Sequence, residues 1–265
     1  MRRAAQDRPL AWHPLVRPEA QQRLDGSTTA LAGRFRTGRV FYGSVLLVGG
    51  ILYGFSFTYL RPLLHGDAFP ALIHVHAALW FGWFGLFSIQ AYLIGRTKLR
   101  WHGRLGIGVA AYTAALVSVS LILAVRTIGR DAHLVTGGIE AVSTIIPLSQ
   151  ILMFLMFFTW AVARRRHADE HKRLMILAAL VGSTPAIARV SIGVLGAPSV
   201  PLIFAVSNLL LAGVVLADWA ATRQLHRAYL WGGLFIIAVR TARIPIAMSP
   251  VWTWLVGQLS SPGIR

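Results

Sequence analysis

The chain has 265 residues, 55% of them hydrophobic and only 13% charged, with no cysteine and a formal charge of +17. A soluble domain carries about 25% charged residues, so this composition, with a mean hydropathy of +0.61, excludes a water-soluble globule and a disordered chain. The missing cysteines exclude disulfides, thiolate catalysis and cysteine-bound zinc or iron–sulfur clusters.

Residues 1–38 are polar, Arg-rich and broken by Pro9, Pro14 and Pro18. They read as a disordered cytoplasmic arm, and no apolar run follows Arg2 and Arg3 closely enough for a cleaved signal peptide. Residues 39–265 read as one transmembrane domain. Seven apolar runs, at 40–60, 71–94, 104–125, 138–162, 173–195, 200–220 and 229–248, are each near the roughly 20 residues a bilayer requires. They predict an all-α, polytopic bundle of seven transmembrane helices whose apolar surplus faces lipid. Pro147, Pro185 and Pro245 are placed to break three of the spans.

All the basic residues except Lys98 and Lys172 are Arg, and their distribution sets a direction. Nineteen fall in the tail and in the loops on its side of the bundle, and four on the other side. Basic loops stay in the cytoplasm, which predicts a cytoplasmic N-terminus and a C-terminus outside, with 249–265 at the outer interface. A pI near 11.7 points to nucleic acid in a soluble protein. Here no basic stripe is interleaved with exposed aromatics, so the expected partner is the lipid bilayer.

Histidines are the leading candidates for chemistry. His102, His171 and His226 stand at the cytoplasmic starts of the third, fifth and seventh spans, and two share a local pattern: His102-Gly-Arg104-Leu105 and His171-Lys-Arg173-Leu174. His65, His74, His76 and His133 lie toward the opposite side. On the second span His76, Trp83 and Gln90 are seven apart, drift only about 20° per step and form one stripe. His74 is about 200° from His76 on a helix, so the two do not chelate one ion there. The His102 face of the third span holds Gly106, Val109, Thr113 and Ser120. His171 and Arg189 share a face of the fifth span with Met175, Ala178, Gly182 and Pro185; His226, Gly233 and Arg240 share one on the seventh. Small residues on a spanning face ordinarily serve helix packing, and histidine beside arginine ordinarily meets lipid phosphate and water. Three such histidines at one depth shift the balance toward a site.

Arg189, Arg240 and Arg243 fall inside spans, where an Arg costs about 2.5–3.5 kcal/mol on insertion scales unless paired or hydrated. Glu140 is placed to neutralise one of them. Arg243 is expected to snorkel to headgroups, while the deeper Arg240, with Arg189, is expected to hold an anionic group. Asp218 is expected to pair with Arg104, Arg173 or an inner histidine.

The stretch from Gly54 through Gly106, with Pro70, His74-Val-His76, Gln90, Arg96 and His102-Gly-Arg-Leu-Gly106, resembles a group of bacterial seven-helix membrane proteins of unknown function. His171 through Met175, Ala186 through Arg189 and His226 through Trp231 resemble the same group, and the likeness covers most of residues 40–260. It implies a multi-pass protein of the bacterial cytoplasmic membrane. The His-plus-Arg spans are more loosely similar to b-type cytochromes, in which histidines on different helices ligate haem. That likeness implies His102 and His171 as inner ligands and His76 as an outer one. Arg104 and Arg173 would then lie near haem propionates, Arg189 and Arg240 would hold an anionic group, and Gln90 would support the site.

Three functions follow from these features. The first is a haem-b-associated redox protein or its assembly factor, with a quinone or another membrane redox protein as partner. A metal ion on His102, His171 and His76 is the alternative to haem. The second is a zinc-dependent lipid hydrolase built on His167-x-x-x-His171 with Asp169, Glu170 or Asp218. The third is a carrier or channel for a small anion, with Arg189 and Arg240 as its contacts.

Overall fold

A computed structural model describes residues 38–130 and 142–259. The expected disordered arm and Glu140 lie outside the described residues. Eight helices follow one another: α1 (Gly38–Leu64), α2 (Ala71–Gly95), α3 (Leu99–Arg130), α4 (Val142–Ala163), α5 (Ala168–Leu195), α6 (Val200–Thr222), α7 (Arg227–Ala247) and α8 (Pro250–Leu259). The first seven are long and apolar enough to cross a membrane. The protein is therefore an all-α, multi-pass membrane protein, as the hydropathy pattern predicts.

The helices overrun several of the predicted ends. α3 begins at Leu99 and α5 at Ala168, because their charged first turns continue the helix beyond the apolar run. Asp169 and Glu170 in the first turn of α5 also suit the positive end of the helix dipole. Short links separate α2 from α3 and α6 from α7, and Thr97 and Arg223 take positive φ there (59° and 55°).

The expected breaks at proline do not occur. Pro147, Pro185 and Pro245 all lie inside continuous helices. A proline supplies no N–H and orphans the carbonyl four residues earlier; at Pro185 that carbonyl is Val181, and a side chain from α4 takes it over. Gln150 donates its amide N–H to the Val181 oxygen.

Helix α5 is the centre of the bundle and packs on α1, α4, α6 and α7. Of its most apolar stretch 56% is buried, against 11% for α6, so α5 is surrounded by protein while α6 faces outward. Leu209, Leu210 and Leu216 on α6 are exposed, as a lipid-facing surface requires. Small residues allow the close approach. A side chain at Gly54 of α1 would run into the Ala186 backbone of α5, and one at Gly232 of α7 into Leu177. The Trp80 ring of α2 fills the space over Gly182. The central core is Trp83, Phe84, Leu116, Phe154, Phe157, Leu174, Leu177 and Ile236.

α1 contains a π-helical stretch at Ser56–Leu60 that packs on α5, with the Phe57 ring against Gly193. Pro250–Leu259 of the segment expected at the outer interface form α8, and Trp252 is buried there, donating to Thr144 Oγ1 (2.8 Å). Trp254 is exposed.

Candidate functional site

The polar stripes predicted on the second and third spans face each other. His76 Nδ1 meets Ser120 Oγ (3.3 Å), Trp83 donates to Thr113 Oγ1 (3.1 Å), and Gln90 meets His102 and Gly106. The α2 positions climb in sevens while the α3 positions fall in sevens, so α2 and α3 are joined by an antiparallel ladder with three rungs. Trp80 donates to the same Ser120 Oγ (3.2 Å), and Tyr112 donates to the Leu79 carbonyl (2.9 Å).

The end rung leads to the two inner histidines. His102 of α3 and His171 of α5 form a perpendicular ring pair, with centroids 6.3 Å apart and planes at 82°. Both Nδ1 atoms are engaged, in opposite senses. His171 Nδ1 faces the Ala161 carbonyl at 2.7 Å. A carbonyl only accepts, so this nitrogen carries the proton and Nε2 keeps its lone pair. Ala161 is in the last turn of α4, where carbonyls lack helical partners, so the contact also closes the α4–α5 turn. The Gln90 amide, oriented so that its oxygen accepts from Gly106 N–H (3.0 Å), donates to His102 Nδ1 and to the His102 carbonyl. The carbonyl and the Gly106 N–H are groups an α-helix pairs with each other, so Gln90 braces the first turns of α3. A neutral His102 then carries its proton on Nε2.

The other predicted residues are dispersed. Arg104 is exposed, with its guanidinium 5.7 Å from the centre of the Trp101 ring. Arg173 is buried and its charge is matched: Nε donates to Asp218 Oδ2 (2.8 Å) and Nη1 to the Asp169 carbonyl (3.0 Å). The expected Asp218 partner is thus Arg173. His226 caps its own helix, its Nδ1 accepting from Ala228 N–H (3.1 Å), and it stands apart from the His102–His171 pair. His76 pairs with no second imidazole among the described residues; Trp80 lies 6.5 Å from it, and His74 bonds to Tyr59 (2.8 Å). Arg189 lies 4.5 Å from the Phe55 ring centre and donates to the Pro185 carbonyl (3.3 Å).

Arg243 does not snorkel. It is 6% exposed and donates through Nη2 to Gln150 Oε1 (2.7 Å), because α4 presents an amide to it inside the bundle. Arg240 is 7% exposed and donates to Asn208 Oδ1 (2.7 Å) on α6 and Thr184 Oγ1 (3.2 Å) on α5. Gln150, Thr184 and Asn208 are the site residues that sequence reasoning missed. Their signal was a pair of adjacent polar residues (Ser149-Gln150, Ser183-Thr184 and Ser207-Asn208) in a long apolar run.

Two surface clefts open at the His102 end. One, of about 380 Å³, is lined by Tyr92, Gly95, Arg96, Thr97 and Lys98. The other, of about 450 Å³, includes Asp169, Arg173, His226 and Arg227. Among the described residues no group of three or more His, Asp or Glu side chains comes together to hold a metal ion, so the His167–His171 pair lacks a third zinc ligand there. Compared with family models, curated proteins and solved structures, the chain matches none.

Proposed function

We propose that this chain is a haem-associated redox protein of the bacterial cytoplasmic membrane, or a factor that assembles one. The observation that carries the reading is the His102–His171 pair, two imidazoles from separate helices with ring centres 6.3 Å apart. Each ring would offer one nitrogen to a group held between α3 and α5.

His171 is in the form a ligand needs, with Nδ1–H held by a backbone carbonyl and Nε2 bearing the lone pair. His102 would reach that form only if its proton passed from Nε2 to Nδ1 and the Gln90 amide turned, which would set the Gln90 oxygen against the His102 carbonyl and its NH2 against the Gly106 N–H, so Gln90 would give up its brace on α3. His171 therefore fits a ligand role as it stands, and Gln90 is the positioning residue for His102. Arg104, exposed at this end, is the cation available to a propionate, since Arg173 is already matched by Asp218. Haem there supplies one-electron chemistry. His102 and His171 would hold the group, with Gln90 and the Ala161 carbonyl fixing the orientation of their rings. A quinone or a second membrane redox protein is the partner this chemistry calls for. The cytoplasmic N-terminus and external C-terminus belong to the same proposal and rest on the nineteen-to-four asymmetry of basic residues.

The visible spectrum is the test. Protein expressed with ample haem and purified without a His tag is expected to show a Soret band and an α-band on reduction, and His102→Ala and His171→Ala are each expected to abolish or shift both. Wild-type protein lacking a Soret band overturns the reading.

A further inference from the structure

The opposite half of the bundle holds two cations that no acid among the described residues accounts for. Arg240 and Arg243 are three residues apart on one face of α7, the spacing at which helix side chains are neighbours, and each is more than nine-tenths buried. Their contacts are all neutral. Arg240 uses Nη1 on Asn208 and Nη2 on Thr184, and Arg243 uses Nη2 on Gln150. The Nε–H of each guanidinium is buried with no acceptor. No carboxylate among the described residues pairs with either. Two like charges are thus fixed side by side in a membrane-spanning bundle, each with an unused donor.

We propose that Arg240 and Arg243 hold a small inorganic anion of the halide class. The donor set selects the size. A carboxylate or phosphate takes the two-pronged fork of a guanidinium; here Asn208 and Thr184 engage both Nη nitrogens of Arg240, and Gln150 engages Nη2 of Arg243. The Nε–H of each residue is left buried without an acceptor, and a compact anion with no directional demands suits two such donors backed by two charges. Asn208, Thr184 and Gln150 act as positioning residues that hold the guanidinium planes. This site is separate from the His102–His171 pair and does not depend on haem.

The experiment follows thermal unfolding of the full chain in detergent, moved from sodium gluconate into rising sodium chloride. A saturable rise in Tm is expected, reproduced by bromide, and Arg240→Lys and Arg243→Lys are each expected to weaken the half-maximal chloride concentration at least tenfold. Lysine keeps the charge and loses the planar donor, so a general salt effect leaves the midpoint unchanged. Crystals grown in bromide are expected to show an anomalous peak within hydrogen-bonding distance of both Nε atoms, a readout that needs no variant to fold. Absence of a saturable rise, a midpoint indifferent to both substitutions, or no bromide peak overturns the proposal. A chloride response that appears only in Glu140→Gln overturns it as well, because Glu140 is then the counter-charge.

Discussion

Gln150 donates its amide N–H to the Val181 carbonyl, the group that Pro185 leaves without a helical partner, and accepts from Arg243 with its other end. One side chain thus repairs a helix and anchors a buried cation. Gln150→Leu is expected to orphan both groups and to destabilise the bundle by about 1–3 kcal/mol, the usual cost of a buried unsatisfied polar group. Pro185→Ala returns an N–H to Val181, so the Gln150→Leu penalty is expected to shrink in that background. A double-mutant cycle read by unfolding in mixed micelles measures the difference, and an unchanged penalty contradicts the link.

The two inner histidines are expected to sit in opposite neutral forms, His102 with its proton on Nε2 and His171 with its proton on Nδ1. Ring 15N shifts in selectively labelled, haem-free protein distinguish them. Gln90→Leu is expected to remove the preference at His102 and leave His171 as it was. A shift at both, or at neither, contradicts the assignment.

His226 makes the start of α7 sensitive to acid. Burial lowers its pKa below the ordinary 6.5, and Arg173 lowers it further, while Asp169, Glu170 and Asp218 oppose the change. The folded chain therefore favours neutral His226, whose Nδ1 accepts from Ala228 N–H. Its contribution is fully present above pH 6.5 and declines as the pH falls through 6.5 toward the lowered value, because protonation turns the acceptor into a donor. His226→Asn keeps a capping acceptor that does not titrate. Wild type is expected to lose more Tm than His226→Asn between pH 7.5 and pH 5. Equal losses contradict the cap.

Gly54 and Gly43 lie on the same helix and predict opposite outcomes. A methyl at Gly54 meets the Ala186 backbone, whereas one at Gly43 meets nothing within 4 Å. Gly54→Ala is expected to cost about 1–3 kcal/mol through forced separation of α1 and α5, and Gly43→Ala to be neutral. Denaturation in detergent checks the pair, and equal behaviour contradicts the packing.

The spans were legible because lipid enforces a minimum run of apolar residues, and the heptad arithmetic placing His76, Trp83 and Gln90 on one stripe also found the surface that meets α3. Depth narrowed the partner of Asp218 to Arg104, Arg173 or an inner histidine, and packing selects Arg173. Arg243 was not legible: its partner is Gln150, far away in sequence, and nothing local to α7 announces that α4 offers an amide there. The prolines misled for the same reason, since the donor that satisfies Val181 belongs to another helix. The meeting of His102 with His171 rests on α5 passing beside α3, a matter of tertiary packing that no single span encodes.

The ladder between α2 and α3 has a consequence for biogenesis. The link from Arg96 to Lys98 is only three residues long, so these helices emerge together and can associate before the remainder of the chain is made. Sliding one against the other by a turn would strand Trp83, Gln90 and His76 in hydrocarbon without partners. The hairpin therefore carries its own alignment, a template on which the other helices can dock.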